Sequence, residues 1–128
     1  MKAKLDLAGQ LILGLIFLVF GLNGFFNFLP MPEMGEKAGA YMGGLGATGY
    51  FFPVLKSVEV IGGLTLLVRR FVPLGLLLLA PVVVQILLFH LYLDPAGLPI
   101  AIAITLLEAY LGFVVYRDAF ITVLQPKP

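Results

Sequence analysis

The chain has no cysteine, one histidine, one serine and few charges. Without cysteine it can form no disulfide, no thiolate metal site and no thiol relay of its own. The single histidine, His90, has no partner at a usable metal-ligand spacing, and no H-x-x-E-H type pattern occurs. With Ser57 as the sole serine, serine-nucleophile chemistry is not expected, and no Ser-His-Asp set, P-loop or dinucleotide glycine fingerprint is present. Charged residues make up 12% of the chain, against about 25% in a soluble domain. The net charge of +1 gives no reason to expect a nucleic-acid partner. Internal repeats and low-complexity segments are also missing.

What replaces these is apolar sequence. Of 128 residues, 61% are hydrophobic, and the mean hydropathy is +1.08. That is the composition of a membrane protein, and the length suits one domain over residues 1–128. Four apolar runs, about 7–28, 51–68, 71–93 and 98–116, each approach the roughly 20 residues needed to cross a hydrocarbon core. Backbone groups in lipid must bond within their own segment, so each run is expected to be a helix. The expected fold is all-α, an integral membrane four-helix bundle. Residues 29–50, rich in glycine and containing Pro30 and Pro32, read as a long outer loop. Gly43, Gly44 and Gly46 argue against a stable helix within it, although a short helix on the membrane surface stays open. Lys2 and Lys4 resemble the start of a signal peptide, but the first run is too long and no small-residue cleavage site follows, so retention is expected.

Basic residues set the expected orientation. Lys2, Lys4, Arg69, Arg70, Arg117 and Lys127 fall on one side of a four-span chain, and Lys37 alone falls in the opposite loops. The expected topology is N-in/C-in. Arg69-Arg70 form a tight turn, Pro73 suits the first turn of the third helix, and Pro81 predicts a kink within it.

Polar residues inside the spans are the candidate site. Lys56 and Glu59 stand three apart, on one face of the second helix, with Glu59 about 12 Å along it. An ionisable residue in a membrane span is costly and is a functional-site hypothesis by default. The first helix offers Asn23 and Asn27. The third offers Gln85 and His90, with Asp94 one turn beyond His90. The fourth offers Glu108, about 15 Å from its start, near Thr105 and Tyr110. Tyr50 lies at the entry to the second helix. Most fall in the outer half, so inward-facing placement would build a polar pocket opening away from the cytoplasm.

Structural readings stand beside these. Lys56 and Glu59 can serve as an internal pair holding the helix in place, and His90 can simply bond Asp94. Gln85, Asn23 and Asn27 suit interhelical hydrogen bonds. Glu108 has no basic neighbour in its own helix and must find Lys56, His90 or water, or be protonated. The glycines at 9, 14, 21 and 24, and at 62 and 63, permit close helix approach.

Thr48 to Gly63 (TGYFFPVLKSVEVIGG), Arg70 to Leu74 (RFVPL), Leu77 to Leu91 (LLLAPVVVQILLFHL) and Gly14 to Phe25 (GLIFLVFGLNGF) together resemble the DoxX family. The likeness covers most of the chain and is weakest in the tail. It implies a multi-pass protein of the bacterial inner membrane, in company with thiosulfate-, quinone- or thiol-stress-linked redox systems. More distant relatives include a methylamine-utilisation membrane protein and chaperone-like or cargo-receptor proteins. Its recurrent polar residues would fall at Asn23, Lys56, Glu59 and His90. Lack of cysteine means that thiol exchange would have to come from a partner.

Three functions follow as expectations. One is an accessory subunit of a membrane oxidoreductase system, holding a quinone near Tyr50, Glu59, His90, Glu108 and Tyr110 and docking a partner oxidoreductase. No metal or haem motif supports electron transfer by the chain itself, and a catalytic role is left open. The others are a small proton-coupled transporter, expected as a homo-oligomer, and an assembly factor.

Overall fold

A computed structural model describes residues 2–26 and 35–126. Asn27, Pro30, Pro32 and Lys127 lie outside the described residues. The described chain is helical throughout, without a strand among those residues: α1 is Lys2–Phe26, α2 Glu36–Ala47, α3 Phe51–Val68, α4 Val72–Tyr92, α5 Leu98–Tyr110 and α6 Arg117–Leu124. A 3-10 turn at Pro95–Gly97 leads into α5, and a π-helical turn at Leu111–Val115 follows it. Four segments are long and apolar enough to cross a membrane: α1, α3, α4 and the stretch Pro95–Val115. The chain is on this basis a membrane protein.

Two expected boundaries move. The first helix begins at Lys2 rather than near Leu7, because nothing in Lys2-Ala-Lys-Leu-Asp-Leu7 breaks a helix. Half of the expected loop 29–50 is the helix α2, despite four glycines in it. The glycine penalty of about 1 kcal/mol each is a propensity, and tertiary contacts of Tyr41 and Leu45 oppose it.

α1 packs along α3, α3 on α4, α4 on α5, and α5 touches α1 again. Leu13, Phe17, Leu66, Leu76, Leu79, Ile104 and Leu111 form the shared core. Only 17% to 33% of each candidate span is buried. The remainder is apolar and exposed, as at Phe20, Ile61, Val84, Ile100 and Leu106, a surface suited to lipid rather than to water.

The α1–α3 seam is the tightest. A Cβ added to Gly63 would lie 2.7 Å from both the Gly14 carbonyl oxygen and the Leu18 backbone nitrogen. Only glycine permits that approach. Deeper along the seam, Gln10, which is 3% exposed, donates from Nε2 to the Leu66 carbonyl at 2.9 Å. Tyr116, just past the π-helical turn, donates its hydroxyl to Gln10 Oε1. One amide thereby ties three segments. Interhelical hydrogen bonds in membranes are worth about 0.6 kcal/mol on average and about 1.7 at most. Gln10→Leu should lower stability by about 0.6–1.7 kcal/mol, read from unfolding in detergent.

The turn from α3 to α4 is as tight as its sequence suggests. Arg69 and Phe71 both take left-handed backbone angles, φ 62° and 57°, and the Arg70 N–H closes on the Thr65 carbonyl at 3.2 Å. Pro73 sits in the first turn of α4, where a missing N–H costs little. Pro81 lies inside α4, which continues through it as helix, with the Leu77 carbonyl deprived of its intrahelical donor.

Candidate functional site

These helices have two distinct ends. The Arg69 end holds the start of α1, the end of α3, the start of α4 and the end of α5, linked through Gln10, Leu66 and Tyr116. The opposite end, where α4 finishes at His90 and Tyr92, is roofed by α2. Beneath α2 lies a cavity of about 480 Å³. Its walls are mostly apolar: Phe17 and Phe20 of α1, Leu55 of α3, Val82, Ile86 and Phe89 of α4, and Ala101 and Ile104 of α5. Met42 and Leu45 of α2 close over it, and Lys56, Glu59, Gln85, His90, Asp94 and Tyr41 supply its polar groups.

Each polar group is held. Lys56 Nζ lies 3.3 Å from Glu59 Oε2, one helical turn along α3. Glu59 is 4% exposed, while the Lys56 side chain keeps partial access to the cavity. The Lys56 stem runs beside Gly24 of α1, where any side chain would strike it. His90 Nδ1 lies 3.4 Å from Asp94 Oδ2 and 3.1 Å from the Asp94 carbonyl. Gly97 gives the imidazole ring its space, since a Cβ there would overlap it. These partners occupy Nδ1, leaving Nε2 as the ring nitrogen for another contact. Gln85 donates from Nε2 to the Tyr41 hydroxyl, and the Tyr41 ring packs on Phe89 with centroids 5.8 Å apart.

The structure thus gathers Lys56, Glu59, Gln85 and His90 around one cavity. It adds Tyr41, which the sequence reading passed over because it lies in a glycine-rich segment 44 residues from Gln85. The other candidates fall elsewhere. Asn23 is buried on α1, 6% exposed, and does not line the cavity. Tyr50 is 65% exposed and borders a shallow apolar groove between α3 and α4, beside Pro81. Tyr110 points to the opposite end of the molecule, donating its hydroxyl to Asp6 Oδ1 at 2.6 Å. Glu108 does not reach Lys56 or His90. Its Oε1 is buried and, among the described residues, has no hydrogen-bond partner.

No group of three or more potential metal-ligating side chains occurs among the described residues. The arrangement suits a ligand with an apolar body and a polar head. Apolar walls would take the body, and the head would meet a cation, a carboxylate, an imidazole and an amide. A volume of this size falls within the range of small-molecule and cofactor sites, about 300–1,000 Å³.

No family model, no curated protein and no solved structure matches the chain.

Proposed function

We propose that the protein is a DoxX-like subunit of a bacterial inner-membrane redox system, with the cavity beneath α2 as the binding site of a quinone or similar ring-bearing apolar ligand. The family reading rests on the four sequence motifs, which run through α1, α3 and α4. The observation that carries the ligand reading is the cavity itself: apolar walls that also carry Lys56, Glu59, Gln85, Tyr41 and His90. Quinone carbonyls accept hydrogen bonds, and Lys56, Gln85 and the His90 ring are donors. Reduction of a quinone to a quinol also needs protons, which a carboxyl and an imidazole can deliver. The electrons would come from a partner oxidoreductase.

In this proposal the bundle is N-in/C-in. Lys2, Lys4, Arg69, Arg70 and Arg117 crowd the Arg69 end, which would face the cytoplasm. The cavity then opens away from it.

Native mass spectrometry of the protein, extracted gently from its own membrane, tests the ligand. Wild type should carry a quinone, and Glu59→Gln should lose it while keeping its fold. A homo-oligomer free of small molecules, unaltered by Glu59→Gln, would remove the quinone reading.

A second reading, a proton-coupled permease, is favoured by Glu108, which sits within a candidate span with its Oε1 buried and, among the described residues, without a cation paired to it. Under that reading, liposome flux vanishes in Glu59→Gln or Glu108→Gln. If both variants change only stability, an assembly role is left.

A further inference from the structure

Glu108 lies outside the cavity but is aligned with it. Ala101 and Ile104 of α5 line the cavity. Glu108 follows Ile104 by four residues and Ala101 by seven, so all three share one helix face. It therefore sits about 6 Å along the axis beyond the cavity floor, toward the Arg69 end. Its neighbour Leu107 lies beside Gly9 of α1, which sets Glu108 roughly level with Gln10. Polar groups continue from there toward the same end of the molecule. Gln10 bonds Tyr116, and one turn further along α1 Asp6 accepts from Tyr110.

This position has no structural explanation of the kind that accounts for the other polar side chains. Gln10, Lys56, Glu59, Gln85 and His90 each hold a partner. Glu108 Oε1 is, among the described residues, the buried side-chain polar atom that lacks one. A dry, unpartnered oxygen on an ionised carboxylate is costly, and a carboxyl that takes and gives a proton avoids that cost. The π-helical turn begins three residues later. Such turns are frequent at functional sites, and Tyr116, which bonds Gln10, follows directly after this one.

We propose that Glu108 is a proton-relay carboxyl that exchanges its proton with the cavity beneath α2, between that cavity and the polar groups at the Arg69 end. The proton leaves the carboxyl oxygen for a water or ligand atom in the cavity, and the carboxyl regains one from the Arg69 side. No electron moves in this step. The inference depends on the cavity and not on the ligand assigned to it, so it holds under either the redox or the transport reading.

Infrared spectroscopy of the full chain in lipid nanodiscs tests it without any ligand. The carbonyl stretch of a protonated carboxyl is separate from that of a carboxylate and shifts on deuteration. Wild type should show a protonated-carboxyl band that is lost in Glu108→Gln and displaced in Glu108→Asp; the second variant guards against misfolding of the first. On transfer to deuterated buffer, the band should exchange more slowly in Leu45→Trp and Met42→Trp, which fill the cavity from the surface helix α2. Lack of the band, its persistence in Glu108→Gln, or an exchange rate indifferent to both tryptophan variants would each overturn the proposal. Failure of the quinone reading would appear separately, as loss of bound quinone from wild type with this band unchanged.

Discussion

Lys56→Met is expected to cost more stability than any other single change at the cavity. It leaves Glu59 in an apolar wall, 4% exposed, with the cation that stood 3.3 Å away removed. Breaking a buried ion pair by removing one partner costs about 3–5 kcal/mol, because the remaining charge is uncompensated. The Lys56 side chain is 24% exposed and borders the cavity, so the pair is not fully enclosed, and the expected loss is about 3 kcal/mol, the lower end of that range. Removing both charges reverses the effect. The double variant Lys56→Met/Glu59→Gln should unfold within about 1 kcal/mol of wild type, since swapping a whole buried pair for neutral groups is often neutral or stabilising. Unfolding in detergent measures both. The double variant also separates the two meanings of the pair. A stable double variant that no longer carries the native ligand assigns the pair a binding role. One that keeps its ligand makes Lys56 and Glu59 internal glue.

What the sequence made legible were relations between near neighbours in the chain. Lys56 and Glu59 stand three apart on α3, where helical geometry alone brings them together, and Asp94 follows His90 by four residues, just past the end of α4. The four apolar runs were equally plain, because a backbone in lipid has one way to satisfy its hydrogen bonds along a single segment. Relations between helices were hidden. A span that is apolar all round carries little sign of which face turns inward, so Tyr50 and Tyr110 were grouped with residues that the structure sets on other surfaces. Glu108 was expected to find Lys56, His90 or water, or to be protonated; it lies a turn beyond the cavity floor, away from the first two, with its Oε1 unpartnered among the described residues. Gln10 escaped notice because a single amide near the end of an apolar run looks incidental. It joins Leu66 and Tyr116, 56 and 106 residues away. Tyr41 was concealed by its glycine-rich setting, where low helix propensity suggested a loop. Its contacts with Gln85 and Phe89 are tertiary, and propensity holds no information about them.

Gly63→Ala should be the most damaging small substitution in the chain. The added methyl would stand 2.7 Å from the Gly14 carbonyl oxygen and 2.7 Å from the Leu18 backbone nitrogen. Both obstacles are backbone, so no side-chain rotation relieves them and α1 must move away from α3 along its whole length. Overpacking costs about 1–3 kcal/mol when side chains can adjust, and more when they cannot; about 3 kcal/mol or above is expected here. Membrane helices lack a hydrophobic drive toward one another and depend on close packing, so the loss should spread along the seam. Gln10, whose bond to Leu66 crosses the same interface at 2.9 Å, would lose its geometry with it. Gly43→Ala on α2 is the control. Its Cβ would meet nothing within 4 Å, and alanine at such a helical position should stabilise by about 0.4–1 kcal/mol. Thermal unfolding of both variants in one detergent compares them directly. Equal, small effects would show that α1 and α3 do not approach as closely as their glycines allow. A collapse confined to Gly63→Ala would establish the α1–α3 seam as the contact on which the cavity's α1 wall, Phe17 and Phe20, depends.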